Sequence, residues 1–540
     1  MTSSASQHHH KLFLGLLCVS VVILSATLAC ASTNYWVAPH SSPTIPPEIA
    51  LLANTAIPLE KLPTATPLPT DPPQPSPTPI LLDSPTPTLP PSPTIPASAP
   101  PFLYYVQAAD TLPIVAVRFN VNPSEITSPE PLLTDTLLTP GQLLIIPRRL
   151  VNTTTSQHIL PDSELVFSPS ATDFDIQDYV EKAGGKLSTY TEWLKSTGTT
   201  TGAQIIQRVA LENSINPRLL LALLEYHSHW VTSQPENQDQ EDYPMGLVDL
   251  NQKGLYRQMV WAVNQLSIGY FDWREGRIIE LRFEQDGYST RLAPDLNAGS
   301  VALQYYFSKL YDSQNWLNAI DIDKGFPALY ERMFGNPWVR AQAVEPLYPP
   351  GLKQPPLILP FEMNQSWSFT GGPHGAWEQE GSYAALDFAP PSSNSGCIPS
   401  NAWVTAAASG LVVRSGGGVI VLDLDGDGFE QTGWALLYLH VSTEDAVPVG
   451  TWVEMGQPLG HPSCEGGHAT GTHIHIARKF NGEWIAADGP MPFNLSGWVA
   501  HSSGRAYYGS LTRDGDTVTA SMGSSSVSIL QRIADDPVNP

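Results

Sequence analysis

The chain predicts a multidomain α+β protein, and three observations carry that prediction. Residues 39–101 gather 21 of the 52 prolines with only five charged side chains; a central stretch repeats its apolar residues every 3.6 positions; a C-terminal stretch alternates them with a period of two. At 540 residues the chain is also too long for a single core. In order, it divides into a targeting segment (1–31), a Pro/Thr/Ser-rich disordered linker (32–101), a small βααβ module (102–149), a helical domain (170–345), an antiparallel β domain (356–503) and a disordered tail (504–540). Lys+Arg 27 against Asp+Glu 51 gives 27 − 51 = −24. Such a charge repels phosphate backbones and argues against a nucleic-acid partner.

The first segment reads as an export signal. His8, His9, His10 and Lys11 precede residues 12–29, an apolar run without a charge. Ala29-Cys30-Ala31 fits an ordinary signal-peptidase site, Thr27-Leu28-Ala29-Cys30 resembles a bacterial lipobox, and eighteen residues is the lower limit for an uncleaved anchor. All three place the protein outside the cell or in its envelope, with the membrane touched only through this segment or its lipid. Cys397 and Cys464 then remain in an oxidising compartment, as a disulfide or as two buried thiols. A bridge over 67 residues would contribute about 4 kcal/mol through loop closure. The linker that follows has the composition of an extended polyproline tether.

In 102–149 a strand at Tyr105-Val106-Gln107 runs into Asp110 and Thr111, both good helix caps, and Pro140-Gly141 turns into a returning strand at Leu143-Leu144-Ile145-Ile146. The segment resembles a LysM module, which implies binding to N-acetylglucosamine-containing glycan.

The clearest helix of the middle region begins at Asn216-Pro217 and runs through Leu219–Leu224 to Glu225. A carboxylate at the end of six apolar residues suits a general acid for glycoside cleavage. The stretch resembles the Glu-Ser region of lysozyme-like lytic transglycosylases, which implies a possible glycosidic role for Glu225. The competing reading is a helical spacer with Glu225 at its edge.

The C-terminal region carries the densest chemistry. Gly410–Arg414, Val419–Leu422 and Trp434–His440 read as successive strands. In Gly471-Thr472-His473-Ile474-His475-Ile476 the two histidines alternate with isoleucine, so on a strand they share one face. Tyr438-Leu439-His440 ends another strand, Gly371-Gly372-Pro373-His374 places a histidine in a glycine-rich loop, and Ala385-Leu386-Asp387-Phe388 puts an aspartate in an apolar strand. Two histidines and one aspartate would suit a catalytic zinc with one open position. Asp423-Leu424-Asp425-Gly426-Asp427-Gly428 spells the start of a calcium loop, but Trp434 stands where the loop's glutamate belongs, so a hairpin turn is expected.

Together these motifs resemble the LytM/lysostaphin-type zinc endopeptidases, LasA-like branch. The resemblance implies that His374, Asp387 and His475 bind Zn2+, that His440 and His473 activate water and stabilise the reacting carbonyl, and that the substrate is peptidoglycan, in its stem peptides or cross-bridges. Two alternatives stand beside it: a non-catalytic wall-binding or activator protein, and a glycan-cleaving enzyme acting through the middle region.

Overall fold

A computed structural model describes residues 99–377, 380–392 and 396–538. The export signal, its cleavage or lipidation at Cys30 and nearly all of the proline-rich linker lie outside the described residues. Among the described residues no helix is long and apolar enough to cross a membrane.

Strand β1 (Phe102–Tyr105) pairs antiparallel with β2 (Leu143–Ile146). Between them Thr111 caps α1 (Leu112–Phe119), its Oγ1 accepting the Ile114 N–H. Beneath the helix, buried Asp110 accepts the Tyr104 hydroxyl at 2.6 Å and pairs with Arg118 at 2.7 Å. The second helix of the expected βααβ pattern is instead a single 3-10 turn, Pro123–Glu125. Pro129 and Pro131 follow closely, and each lacks the N–H a helix would need.

The helical region starts earlier than residue 170. Asp162–Leu165 already forms a buried turn of helix whose Leu165 enters the core. Its main helices are α2 (Gly202–Asn213), α3 (Pro217–Ser228), α4 (Leu255–Arg274) and α5 (Ala298–Leu310). Asn216 caps α3 through the Arg218 N–H, and Pro217 fills the first helical position, where a missing donor costs nothing. Gly269 lets α4 lie directly on α5, since a Cβ there would meet Ala302 Cα at 2.8 Å.

The C-terminal half centres on a nine-stranded sheet. Its strands are β3 (Ser366–His374), β4 (Ala385–Ala389), β5 (Gly410–Gly416), β6 (Val419–Asp423), β7 (Trp434–Leu439), β8 (Trp452–Val453) and β9 (Ile474–Phe480), with a late strand described below. They run β8-β5-β6-β7-β9-β4-β3 with antiparallel neighbours, and Glu483–Trp484 folds back on β9. Side chains alternate between two cores. Leu386, Phe388, Leu436, Tyr438, Ile474 and Ile476 fill one face, while Ala385, Val421, Leu437, Leu439 and Ala477 pack among the helices on the other. Helices and sheet therefore share a core instead of forming two separately packed domains.

Residues 504–538 do not form the disordered tail that the Ser/Gly/Asp composition of 504–540 suggests. After β10 (Asn494–Leu495) and β11 (Trp498–Ser502) come β12 (Gly509–Arg513) and β13 (Asp516–Thr519), completing a four-stranded sheet. Strand β14 (Ile529–Gln531) then pairs with β3 at the edge of the large sheet. Each of these three short strands buries one apolar residue, Leu511, Val518 or Leu530, among polar neighbours.

Candidate metal centre

Three adjacent strands bring the centre together. On β9, His475 lies directly opposite Asp387 of β4, and on its other side opposite Leu439 of β7. His374 is the last residue of β3, not a loop residue as its glycines suggest, and the β3–β4 register shifts between Gly371 and His374. An irregularity of this kind re-aims a side chain. Gly371 is required where it stands: a Cβ there would meet Asp387 Oδ2 at 2.4 Å.

His374 Nε2 and His475 Nδ1 lie 3.0 Å apart, and Asp387 Oδ1 is 3.2 Å from the first and 3.3 Å from the second. The outer nitrogen of each ring is committed elsewhere. His374 Nδ1 donates to the Gly372 carbonyl at 2.8 Å, and His475 Nε2 donates to the Ala376 carbonyl at 2.9 Å. In the neutral rings this leaves two imidazole lone pairs and one carboxylate oxygen converging on one point. Asp387 Oδ1 is buried without a hydrogen-bond partner, an arrangement that costs free energy unless a cation satisfies it. The donor set fits a metal ion, with backbone carbonyls fixing both tautomers.

The electrostatics agree. Burial would raise the Asp387 pKa, but His374, His475 and His473 outweigh it and hold the carboxyl well below its usual range. Burial depresses His374, yet neighbouring Asp387 leaves it raised overall; burial dominates at His475, which is lowered.

His473 and His440 complete the cluster from one side, their ring centroids 4.5 Å apart. His473 Nδ1 donates to the Gly471 carbonyl and His440 Nδ1 to the Glu465 carbonyl, so each presents Nε2. Burial, then His473 and His475, push the His440 pKa down to about 3. Cys397 and Cys464 are joined by a disulfide, Cys464 directly preceding Glu465.

Residues 158–347 match the family model described as LasA, N-terminal domain. The chain is 24% identical over 375 residues to Protease LasA of Pseudomonas aeruginosa strain PAO1, covering 65% of this chain and 81% of that protein. Over these spans the chain is similar to LasA. Protease LasA of strain UCBPP-PA14 is likewise 24% identical, over 374 residues. Similar solved structures include the M23 metalloprotease pseudoalterin from the deep sea (24% identity, 31% of this chain and 95% of that one, TM-score 0.25). The catalytic domain of lysostaphin from Staphylococcus simulans is another (26% identity, 23% and 90%, TM-score 0.16).

Glu225 does not join the centre. It is buried at the end of α3, where its carboxylate accepts the N–H groups of Val231 and Thr232 and the Thr232 hydroxyl. Both oxygens fasten the chain that follows the helix. The Asp423–Gly428 segment is a turn in which Asp423 accepts the N–H groups of Asp425, Gly426 and Gly428.

One residue at the centre escapes the sequence reading. Tyr507 stacks on His374 with centroids 4.2 Å apart, and it is held by two backbone hydrogen bonds with Gly372 and Pro373. Burial, and after it the Asp387 charge, raise its pKa. The adjacent pair Tyr507-Tyr508 within a Ser/Gly-rich stretch was the available signal.

Proposed function

We propose that the chain is an exported zinc metallopeptidase that hydrolyses peptide bonds of bacterial peptidoglycan, in stem peptides or cross-bridges. The convergence of His374 Nε2, His475 Nδ1 and the orphaned Asp387 Oδ1 carries this reading. Two imidazole nitrogens and one carboxylate oxygen are a ligand set for catalytic zinc, with one negative charge to offset part of the ion's two. Zinc held there would supply Lewis acidity to a peptide carbonyl and lower the pKa of water.

The protein's own groups do the rest. His440 and His473 present Nε2 beside the ligands, where one of the pair takes a proton from the attacking water and returns it to the leaving amine while the other stabilises the reacting carbonyl oxygen. The Gly372 and Ala376 carbonyls hold the ligand rings in place, and Tyr507 shields His374 from solvent on one side. The match of residues 158–347 to the LasA N-terminal domain and the protease names of the relatives support a peptidase. In this reading residues 102–149 act as a LysM-like module that holds the enzyme near glycan.

The test is release of free amino groups from purified peptidoglycan by the full chain. Release should stop with a chelator and return with Zn2+. Reducing sugar ends appearing without new amino groups, or release indifferent to chelation, would overturn the proposal.

A further inference from the structure

We propose that Glu465 is a positioning residue that sets the tautomer and orientation of His440; the inference rests on the peptidase reading for its catalytic meaning. His440 is the first residue beyond β7 and has a φ of 67°, in the left-handed region. The strand ladder has ended there, so the loop 463–467 fixes the histidine instead. The His440 carbonyl accepts the Ser463 N–H at 2.7 Å and the Ser463 hydroxyl at 3.1 Å. The ring Nδ1–H donates to the Glu465 carbonyl at 2.9 Å. A carbonyl only accepts, so this bond places the proton on Nδ1 and leaves Nε2 free to take another.

The Glu465 side chain reaches back to the turn that follows His440. Its carboxylate accepts the Thr443 N–H at 2.9 Å, the Thr443 hydroxyl at 2.5 Å and the Ser442 hydroxyl at 3.3 Å. One residue thus holds the His440 ring through its carbonyl and the next turn through its carboxylate. The loop packs directly on the β5–β6 turn: a Cβ on Gly418 would meet the Glu465 carbonyl carbon at 2.3 Å. Cys464, the preceding residue, is bonded to Cys397. On that side the Gly396 carbonyl accepts the Thr472 N–H, and the Ile398 carbonyl accepts the Thr472 hydroxyl at 2.6 Å, one residue before His473. The disulfide therefore couples the supports of both histidines.

The test compares zinc-loaded full-length wild type, Glu465→Ala and Glu465→Gln. Long-range 1H–15N spectra of histidine-labelled protein, assigned with His440→Gln, report the His440 tautomer without turnover. Wild type should hold the proton on Nδ1, and Glu465→Ala should mix tautomers while keeping its zinc. Its kcat should fall about 10–100-fold with KM within about twofold. Glu465→Gln, whose amide oxygen still accepts from Thr443, should restore both readouts. A wild-type tautomer and kcat in Glu465→Ala, or a Gln variant as impaired as Ala, would overturn the inference. Thr443→Val, lacking the hydroxyl donor, provides the same comparison if Glu465→Ala does not fold. Should wild type cleave no peptide, the peptidase reading falls, while the tautomer still decides whether Glu465 positions His440.

Discussion

His374 Nε2 and His475 Nδ1 stand 3.0 Å apart while the other nitrogen of each ring donates to a backbone carbonyl. Two lone pairs that close, beside a buried carboxylate, repel one another unless a cation lies between them. Metal should therefore stabilise the fold. Zinc at 100 times its Kd is expected to add about 2.7 kcal/mol to unfolding, read as a chelator-sensitive Tm. Asp387→Ala should lose both the bound zinc and the chelator-dependent part of the Tm.

Tyr507 tests the edge of the centre. Phenylalanine keeps the stack on His374 and removes the hydroxyl that lies in the field of Asp387. Tyr507→Phe should lower kcat about tenfold or more with zinc content unchanged. An unchanged kcat would make the residue purely a packing element.

The C-terminal strands make a stability prediction. Leu511 is fully buried, so Leu511→Ala should cost about 2–5 kcal/mol in denaturant unfolding. A disordered tail would give no change.

The helical region should titrate. His227 lies between the hydroxyls of Tyr306 and Tyr311, and burial pushes its pKa down from 6.5 to about 3. Between those values the unfolded chain binds a proton that the folded chain does not, so stability rises with pH in this window and is lost as pH falls below 6.5. The loss attributable to His227 is at most about 2 kcal/mol by pH 5. Denaturant midpoints at pH 7 and pH 5 should differ less in His227→Gln than in wild type.

Glu225 provides a negative control. Glu225→Gln weakens hydrogen bonds to Val231 and Thr232 and should cost about 1–3 kcal/mol. It should leave every cleavage product unchanged.

How much of this was legible depended on whether the pattern was local. His473 and His475 were readable because a two-residue spacing on a strand fixes a shared face. The α3 start was readable because Asn216-Pro217 is a local signal. The partners of Glu225 were not legible because they come from the turn after its own helix, which an apolar run does not specify. Tyr507 and β14 were hidden because their pairing with β3 joins residues more than 130 positions apart within a polar composition. The short turn at Pro123–Glu125 shows proline chemistry overriding the pattern expected from the module's two ends.

Mass spectrometry of the fragments that zinc-loaded wild type and His475→Ala release from purified peptidoglycan tests the metallopeptidase reading at its centre. New peptide termini should appear with wild type and none with His475→Ala. New sugar ends that persist in His475→Ala would contradict it, because the cleaving group would then lie away from the His374–Asp387–His475 centre.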